Sequence, residues 1–297
     1  MFRGVFTALI TPFHNYKIDY EALEALIERQ IANGIDGLVP CGTTGEAPTL
    51  TEQEHRDIIE FTVKVVAKRI PIIAGTGSNS TVEALHYSRL AQNLGADAVL
   101  LTCPYYNKPS ARGLRAHFLK IADEISIPQI LYNIPSRTGI NLLPETVLEL
   151  SKHPRIVGIK EASGNLEQMI KIRKMCSPEF DVLSGDDTLT LPVLSIGGVG
   201  VISVFSNLLP KEMTSMVHLF LENQFVESQN LFLKYYDLIK NIMTTDANPV
   251  GIKLALSLCG QIQNELRLPL VEAQMEDRKK MEKLLNQAQL LPLEIPK

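Results

Sequence analysis

The sequence has few of the features that mark metal or disulfide sites. Its four cysteines, Cys41, Cys103, Cys176 and Cys259, include no CxxC pair, and its six histidines show no HExxH or similar spacing. Such scattered residues favour neither a zinc site nor a disulfide framework. We therefore expect the cysteines to be small buried hydrophobic residues and the chemistry to need no metal.

Long hydrophobic runs and clusters of basic charge are also missing. No apolar run approaches the roughly 18 residues that span a bilayer, and the first residues lack a charged segment followed by an apolar core. The net charge is -4, and the longest basic run is Arg278-Lys279-Lys280. These features predict a cytoplasmic protein that binds neither membranes nor nucleic acid.

Eight short apolar segments alternate with helical patterns along the first two thirds of the chain. They lie at 4–10, 35–41, 70–75, 96–101, 127–132, 156–160, 181–185 and 199–203. This alternation and the length of 297 residues predict an α/β fold, a (β/α)8 TIM barrel. An open Rossmann-like sheet is the alternative, but residues 75–79, GTGSN, match its glycine fingerprint only in part.

The chain becomes purely helical in pattern after Pro210, with helices expected near 213–221, 226–243, 249–259 and 272–289. One helix is enough to complete the last barrel unit. We therefore predict a barrel domain over residues 1–222 and a C-terminal helical extension over residues 223–297.

Lys160 ends the sixth apolar segment, IVGIK, at a position where a charge is costly to bury. An ordinary lysine at a strand end extends its ammonium group to solvent. The alternative is an amine kept neutral for covalent chemistry, since a lysine whose pKa falls from about 10.4 to about 7–8 can attack a carbonyl and form a Schiff base. The rest of the sequence decides between these two interpretations.

Polar residues follow several of the other predicted strands. Catalytic residues of (β/α)8 barrels come from the carboxyl ends of the strands, so these residues are expected to meet at one face. Singly, each has an ordinary explanation, such as a turn cap, a rim aromatic or an exposed ion pair. Together they supply a nucleophile, a carboxylate cradle, a proton relay and an anion clamp. The set consists of Thr43, Thr44, Tyr105, Tyr106, Arg137 and Lys160, whereas Asp186 and Asp187 are interpreted as a helix N-cap.

Six motifs resemble those of the pyruvate-dependent class I lyases that include dihydrodipicolinate synthase and N-acetylneuraminate lyase. The resemblance extends from Phe2 to about Leu270 and is specific in order and approximate spacing. The motifs are GTTGE at 42–46, PYYNKP at 104–109, YNIPSRTG at 132–139, GIKEASG at 158–164, SGDD at 184–187 and GVISV at 200–204.

The resemblance implies a role for individual residues and no cofactor. Lys160 would form the imine with pyruvate, and Thr43 and Thr44 would bind the pyruvate carboxylate. Thr44, Tyr132 and Tyr106 would form a proton relay, with Tyr106 reaching in from a neighbouring subunit of the family's usual homotetramer, a dimer of tight dimers. The backbone of Gly185 and Ile202 would line the pocket.

Arg137 distinguishes members of this family. An arginine in YNxPxRT implies a second substrate with a carboxylate, and a bidentate guanidinium suits that group. The resemblance thus implies condensation of pyruvate with aspartate 4-semialdehyde to 4-hydroxy-tetrahydrodipicolinate in diaminopimelate and lysine biosynthesis. Two alternatives stay open: another aldolase of the family, such as an N-acetylneuraminate lyase or a keto-acid sugar aldolase, or a non-catalytic sensor that binds pyruvate or lysine.

The resemblance also implies a regulatory site for lysine. Its residues would be His55, Asn79, Glu83 and Tyr105, with Glu83 pairing the ammonium group of the ligand. Ala47 stands where a serine is common in lysine-inhibited members, and Glu52 where a histidine is common. The alternative is that these are ordinary loop and helix residues.

Overall fold

The computed structural model describes residues 2–291, so Met1 of the predicted barrel domain and residues 292–297 of the predicted extension lie outside the described residues. Within this range eight parallel strands form one sheet, and a parallel bridge between Leu38 and Ile72 joins its two end strands. The ring of strands confirms the predicted (β/α)8 barrel and rules out the open sheet. The strands are β1 (Gly4–Ala8), β2 (Gly37–Val39), β3 (Ile73–Gly75), β4 (Ala98–Thr102), β5 (Gln129–Asn133), β6 (Ile156–Glu161), β7 (Asp181–Ser184) and β8 (Gly200–Ser203). They adjoin in the order β2-β1-β8-β7-β6-β5-β4-β3.

Helices separate the strands and follow the last one. Over residues 2–291 they are α1 (Tyr20–Ala32), α2 (Glu52–Val66), α3 (Thr81–Leu94), α4 (Ala111–Glu124), α5 (Pro135–Thr138), α6 (Pro144–Leu150), α7 (Leu166–Met175), α8 (Thr190–Ser195), α9 (Pro210–Leu221), α10 (Phe225–Thr244), α11 (Val250–Leu258) and α12 (Met275–Gln287). Short 3-10 turns occupy Ala47–Thr49, Asp187–Leu189 and Phe205–Asn207, and a small hairpin pairs Phe13–His14 with Lys17–Ile18. None of the helices formed by residues 2–291 has both the length and the apolar character that crossing a membrane requires.

The starts of the first helices follow from their capping residues. The Asp19 carboxylate accepts a hydrogen bond from the backbone N–H of Ala22, 3.0 Å away. Thr51 and Glu54 form a reciprocal capping box at the start of α2. Ser80 caps α3 through the backbone N–H of Glu83. These side chains satisfy backbone donors that have no partner within their helix, which fixes the first turn.

The apolar residues form one core inside the barrel and another between the barrel and its helices. Phe6, Ile73, Leu100 and Ile130 lie in the inner core. The outer core extends into α9, α10, α11 and α12. Alternation of side chains along each strand explains this division, because neighbouring residues face opposite sides of the sheet.

The cysteines and the C-terminal helices follow the sequence-based expectations closely. Cys41, Cys103 and Cys176 are buried, as predicted, whereas Cys259 is only half-buried because it lies at the end of α11. The four expected C-terminal helices correspond to α9 to α12. The domain boundary at residue 222, in the short turn between α9 and α10, stays a prediction.

Candidate active site

Lys160 lies at the carboxyl end of β6, beside Tyr132 on β5. The two residues are partners in the strand register, and the Lys160 Nζ atom lies 4.2 Å from the centre of the Tyr132 ring. Only 5% of Lys160 is exposed, so its stem does not extend the ammonium group to solvent. Gly185, after β7, leaves room for this stem, since a Cβ atom there would lie 3.0 Å from the Lys160 Cε atom. The structure thus gives Lys160 the enclosed position that the interpretation as a neutral amine requires.

The surroundings favour the neutral form of this amine. Burial lowers the pKa of Lys160 to about 8, the carboxylate of Asp187 opposes the change, and the Arg137 guanidinium adds to it. At pH 7.5 a pKa of about 8 leaves roughly a quarter of the amine neutral, against about a thousandth for an unperturbed lysine. A nucleophilic amine is therefore available near neutral pH.

Tyr132 is buried above this amine and keeps its phenolic proton. Burial raises the pKa of Tyr132 to about 12, while Arg137 and a hydrogen bond with the Thr43 side chain oppose the rise. The neighbouring hydroxyl, on Thr44, instead accepts a hydrogen bond from the Asn248 side-chain amide at 3.0 Å. Thr43 and Thr44 thus both lie at the end of the barrel that holds the Tyr132 phenol.

A cavity of about 270 Å³ opens at this face of the barrel. It brings together four residues of the predicted site, Thr43, Thr44, Tyr132 and Lys160, and extends to three of the residues that the resemblance assigned to lysine, His55, Glu83 and Tyr105. The other predicted residues lie outside its lining. These are Asn79, Tyr106, Arg137, Gly185 and Ile202, of which Gly185 contacts Lys160 directly and Ile202 is buried in the inner core.

Arg137 and Tyr106 are both exposed near this face. Arg137 lies in the short helix α5, and one of its guanidinium nitrogens donates to the backbone carbonyl of Asn248 at 3.2 Å. Its charge affects both Tyr132 and Lys160. Tyr106 is 87% exposed, with a backbone φ of 68°, and does not line the cavity of its own chain.

Three residues of the predicted lysine site, His55, Glu83 and Tyr105, line the same cavity as Lys160. The His55 ring is buried, with Nε2 2.9 Å from the backbone carbonyl of Gly75. Glu83 accepts a hydrogen bond from the Ser78 hydroxyl. Tyr87, which the sequence analysis does not single out, also lines the cavity, and its ring centre lies 4.4 Å from that of His55. Asn79 lies to the side, where its backbone carbonyl accepts a hydrogen bond from Asn107 at 2.9 Å.

The interpretation of Asp186 and Asp187 as a paired N-cap is right for the first and wrong for the second. Asp186 accepts from the backbone N–H of Thr188 at 2.8 Å and so caps its own turn. Asp187 is buried, and its Oδ2 atom accepts from the backbone N–H groups of Val204 and Phe205, at 2.9 and 3.0 Å. Burial raises the pKa of Asp187 to about 6, so the group is ionised above that pH. A second aspartate directly after a barrel strand is the signal that could have found it.

Glu161 is another buried carboxylate, and its sequence context predicts no role for it. It directly follows Lys160 and accepts hydrogen bonds from the side chains of Asn133 and Gln168, at 2.9 and 3.1 Å, and from the backbone N–H of Ser163 at 2.7 Å. These contacts join β5, β6 and α7 at the end of the strand that bears the lysine. They stabilise the backbone at the end of β6, next to Lys160.

The comparisons with known proteins agree with this geometry. A model of the Dihydrodipicolinate synthetase family matches residues 1–288. The chain belongs to this family. The 4-hydroxy-tetrahydrodipicolinate synthase of Endomicrobium trichonymphae is 49% identical over 292 residues, which are 98% of this chain and all of that protein.

Solved structures of family members superimpose closely on the chain. The 4-hydroxy-tetrahydrodipicolinate synthase from Methylacidiphilum fumariolicum SolV is 48% identical, with a TM-score of 0.95 and coverage of 97% of this chain and 96% of that one. The dihydrodipicolinate synthase (DHDPS) from Cyanidioschyzon merolae, solved with lysine bound, is 41% identical, with a TM-score of 0.94 and coverage of 98% and 99%. The similarity therefore spans the barrel and the C-terminal helices alike.

The pH dependence of imine formation tests the environment of Lys160. Trapping of pyruvate by borohydride should speed up as pH rises through about 8, the pKa of Lys160, and level off above it. In Asp187→Asn the carboxylate that favours the charged amine is lost, so the midpoint should fall by about half to one pH unit. The matched control is Asp186→Asn, which should leave the midpoint unchanged. A midpoint near pH 10 in the unmodified protein would contradict the lowered pKa of the buried Lys160 amine.

Proposed function

We propose that this chain condenses pyruvate with aspartate 4-semialdehyde to give 4-hydroxy-tetrahydrodipicolinate in diaminopimelate and lysine biosynthesis. The observation that carries the proposal is the buried Lys160 amine, with a pKa of about 8, beneath the Tyr132 phenol in a polar cavity. The similar family members are 4-hydroxy-tetrahydrodipicolinate synthases, which supports the identity of the product. No cofactor takes part in the proposed steps.

The first half of the reaction joins pyruvate to the enzyme. The neutral Lys160 amine adds to the pyruvate ketone, and loss of water from the adduct gives an iminium ion. The iminium withdraws electrons, so the pyruvate methyl group loses a proton and an enamine forms. Protons must reach and leave the ketone oxygen and the methyl group during these steps, and the Tyr132 phenol lies above the Lys160 amine where this occurs.

The second half forms the new carbon–carbon bond. The enamine carbon attacks the aldehyde of aspartate semialdehyde, whose oxygen takes up a proton. The amine of the same substrate then attacks the imine carbon, closes the ring and displaces the Lys160 nitrogen. The enzyme regains its free amine, and atoms balance without an external oxidant or reductant.

The threonines of the GTTGE turn, residues 42–46, have two roles in this proposal, carboxylate binding and proton relay. Thr44 supplies the hydroxyl that links Tyr132 and Tyr106 in the proton relay, because the hydrogen bond it accepts from Asn248 leaves its own proton to be donated. Thr44 accepts from Asn248 and helps Thr43 to bind the pyruvate carboxylate. Thr43 and Thr44 both line the cavity that contains Lys160, which supports these two roles.

Arg137 is proposed to bind the carboxylate of aspartate semialdehyde. Its exposed guanidinium lies outside the cavity lining but close enough to influence Tyr132 and Lys160. One nitrogen is fixed by the Asn248 carbonyl, so the fork is oriented before the substrate arrives. A neutral sugar aldehyde would not make this contact, which favours the synthase over the sugar-aldolase alternative.

Tyr106 is proposed to act in the site of a neighbouring subunit. Its phenol is exposed and does not enter its own cavity, which supports a role across an interface. The chain would then work as at least a dimer within the predicted homotetramer. Sedimentation of the purified protein checks this, and a fully active monomer would contradict it.

The test of the function is pyruvate-dependent consumption of aspartate semialdehyde by the purified protein, with formation of the cyclic product followed by mass spectrometry. The expected result is turnover together with borohydride trapping of pyruvate on Lys160. Trapping without turnover would instead support another aldolase of the family. Absence of both would leave the sensor alternative.

We further propose that the part of the cavity lined by His55, Glu83 and Tyr105 binds free lysine as a feedback inhibitor. Glu83 is exposed to the cavity and could pair the ligand's ammonium group, with His55 and Tyr105 beside it. A family member, the Cyanidioschyzon merolae enzyme, has been solved with lysine bound. Ala47 removes one hydroxyl that lysine-inhibited members commonly have, so the inhibition would be weaker than theirs.

The Glu83 variant tests the lysine proposal. Lysine should raise the melting temperature of the protein and lower its activity. In Glu83→Gln the lysine concentration that gives half of this effect should rise by about tenfold or more, since a charge-assisted hydrogen bond is lost. Glu24→Gln, on α1 and outside the cavity, is the control. The proposal fails if millimolar lysine leaves the melting temperature and the activity unchanged.

A further inference from the structure

Helix α11 contains a buried lysine that the proposed chemistry does not use. The side chains of Lys253 and Glu46 form an ion pair with no exposed surface on either side chain. The Lys253 ammonium also donates to the backbone carbonyl of Glu265 at 3.0 Å and lies 4.2 Å from the centre of the Phe13 ring. A buried pair of this kind adds little net stability, because desolvation offsets the attraction. The main effect of the pair is therefore to hold the Glu46 side chain in place.

Glu46 is the last residue of the GTTGE turn, and its backbone is in an unusual conformation. Its φ angle is 56°, and Cys41, directly before the turn, has the same value. Residues with a side chain seldom adopt this left-handed region and stay there only where their surroundings fix them. For Glu46 the surroundings are Lys253 and the backbone N–H of Arg267, which donates to Oε2 at 3.1 Å.

The residues just before α11 contact the same turn at a second point. The Asn248 side chain donates to the Thr44 hydroxyl at 3.0 Å, and the Asn248 carbonyl accepts from Arg137 at 3.2 Å. A short segment of the C-terminal region thus contacts the turn through Thr44 and Glu46. Because the Thr44 hydroxyl accepts from Asn248, its own proton is left to be donated elsewhere.

We propose that α11 is a positioning element for the GTTGE turn, in which the Lys253–Glu46 pair sets the orientation of Thr43 and Thr44 toward pyruvate. The inference rests on the proposed function for the identity of that ligand. Lys253 touches no substrate and acts through Glu46. Without it, the turn would lose the contact that keeps Glu46 in its left-handed conformation, and the carboxylate site would no longer be preorganised.

Two variants separate positioning from simple stabilisation. Lys253→Met leaves the Glu46 carboxylate buried without its partner and should lower the melting temperature. The double variant Glu46→Gln, Lys253→Met removes both charges at similar volume, so the melting temperature should recover. Met281→Ala, a buried residue of α12, is the matched control, since it destabilises the same C-terminal region without contacting the turn.

The main measurement is the pyruvate concentration that gives half-maximal borohydride trapping on Lys160. It should rise by about tenfold or more in both variants that lack the pair, the loss expected for misplaced hydrogen-bond donors, and stay within about twofold in Met281→Ala. The pH midpoint of trapping should not move, because the surroundings of Lys160 are intact. Recovery of both the melting temperature and the pyruvate affinity in the double variant would overturn the proposal.

Amide hydrogen exchange of the peptide that covers residues 42–50 provides a readout without any substrate. Exchange there should be faster in Lys253→Met and in the double variant than in Met281→Ala. If the unmodified protein does not trap pyruvate, the proposed function fails, yet this exchange still tests the positioning role. Equal exchange in all variants would overturn the role of α11 even if trapping succeeds.

Discussion

Replacing Lys160 with methionine should abolish turnover while making the protein more stable. The variant keeps the buried stem but loses the amine, so neither the imine nor borohydride trapping of pyruvate can form. Removal of an essential nucleophile lowers kcat by about 10⁴-fold or more. Turnover and trapping, the latter followed by the mass of the peptide that contains residue 160, are the measurements.

The gain in stability follows from the low pKa of Lys160, about 8 in the folded protein against 10.5 for the ordinary side chain. Between these two values the unfolded state binds more protons, so the cost of burying the charge is full below about pH 8 and disappears as pH rises toward 10.5. Lys160→Met should therefore raise the free energy of unfolding at pH 7 by as much as about 3 kcal/mol, with no gain above pH 10.5.

The exposed Lys68 provides the control for this experiment. Lys68→Met should retain turnover and trapping, with little change in stability. Trapping of pyruvate in Lys160→Met would show that another amine is the nucleophile. If Lys160→Met fails to fold, Lys160 is needed for the fold itself, and the expected gain in stability is wrong.

Replacing Arg137 with alanine should impair the use of aspartate semialdehyde far more than the binding of pyruvate. Loss of charge-assisted hydrogen bonds to the substrate carboxylate should lower kcat/KM for the semialdehyde by about 10²-fold. Because Arg137 also lowers the pKa of Lys160, pyruvate trapping is compared at about pH 9, where most of the amine is neutral in either protein. There it should change by no more than about twofold.

Two further variants show whether the guanidinium fork matters. Arg137→Lys keeps the charge but not the two parallel donors, so its kcat/KM should lie between those of alanine and arginine. Arg112→Ala, at an exposed position of α4, should behave like the unmodified protein. Equal losses for both substrates in Arg137→Ala would show that Arg137 supports the structure through its contact with Asn248 rather than binding the second substrate.

Local sequence patterns predict the barrel well because its elements depend on short-range rules. The observed strands fall within or one residue beyond the eight apolar segments, and the capping residues Asp19, Thr51 and Ser80 mark the starts of three helices. Each of these features depends on residues within a few positions of one another. Strand lengths are less well predicted, as for β2, where hydrogen bonding to the neighbouring strands limits the strand to Gly37–Val39.

The chemical character of the site also follows from sequence, but its pairwise contacts do not. Residues at the carboxyl ends of barrel strands converge by topology alone, which places Lys160, Tyr132 and the threonines of the GTTGE turn around one cavity. Which threonine faces Tyr132 depends on how the turn is oriented. The capping pattern suggested the same role for Asp186 and Asp187, whereas burial against β8 gives Asp187 a different one.

Sequence alone therefore determines that this chain builds a parallel barrel with a lysine at the end of its sixth strand, since periodicity, caps and strand-end motifs are local. Only the tertiary structure decides that the amine is buried beneath a phenol and that Lys253 pairs with Glu46. These contacts join residues that are far apart in the chain, and no short-range pattern encodes their distance. The same packing sets how much water reaches Lys160, and desolvation is the main cause of its low pKa.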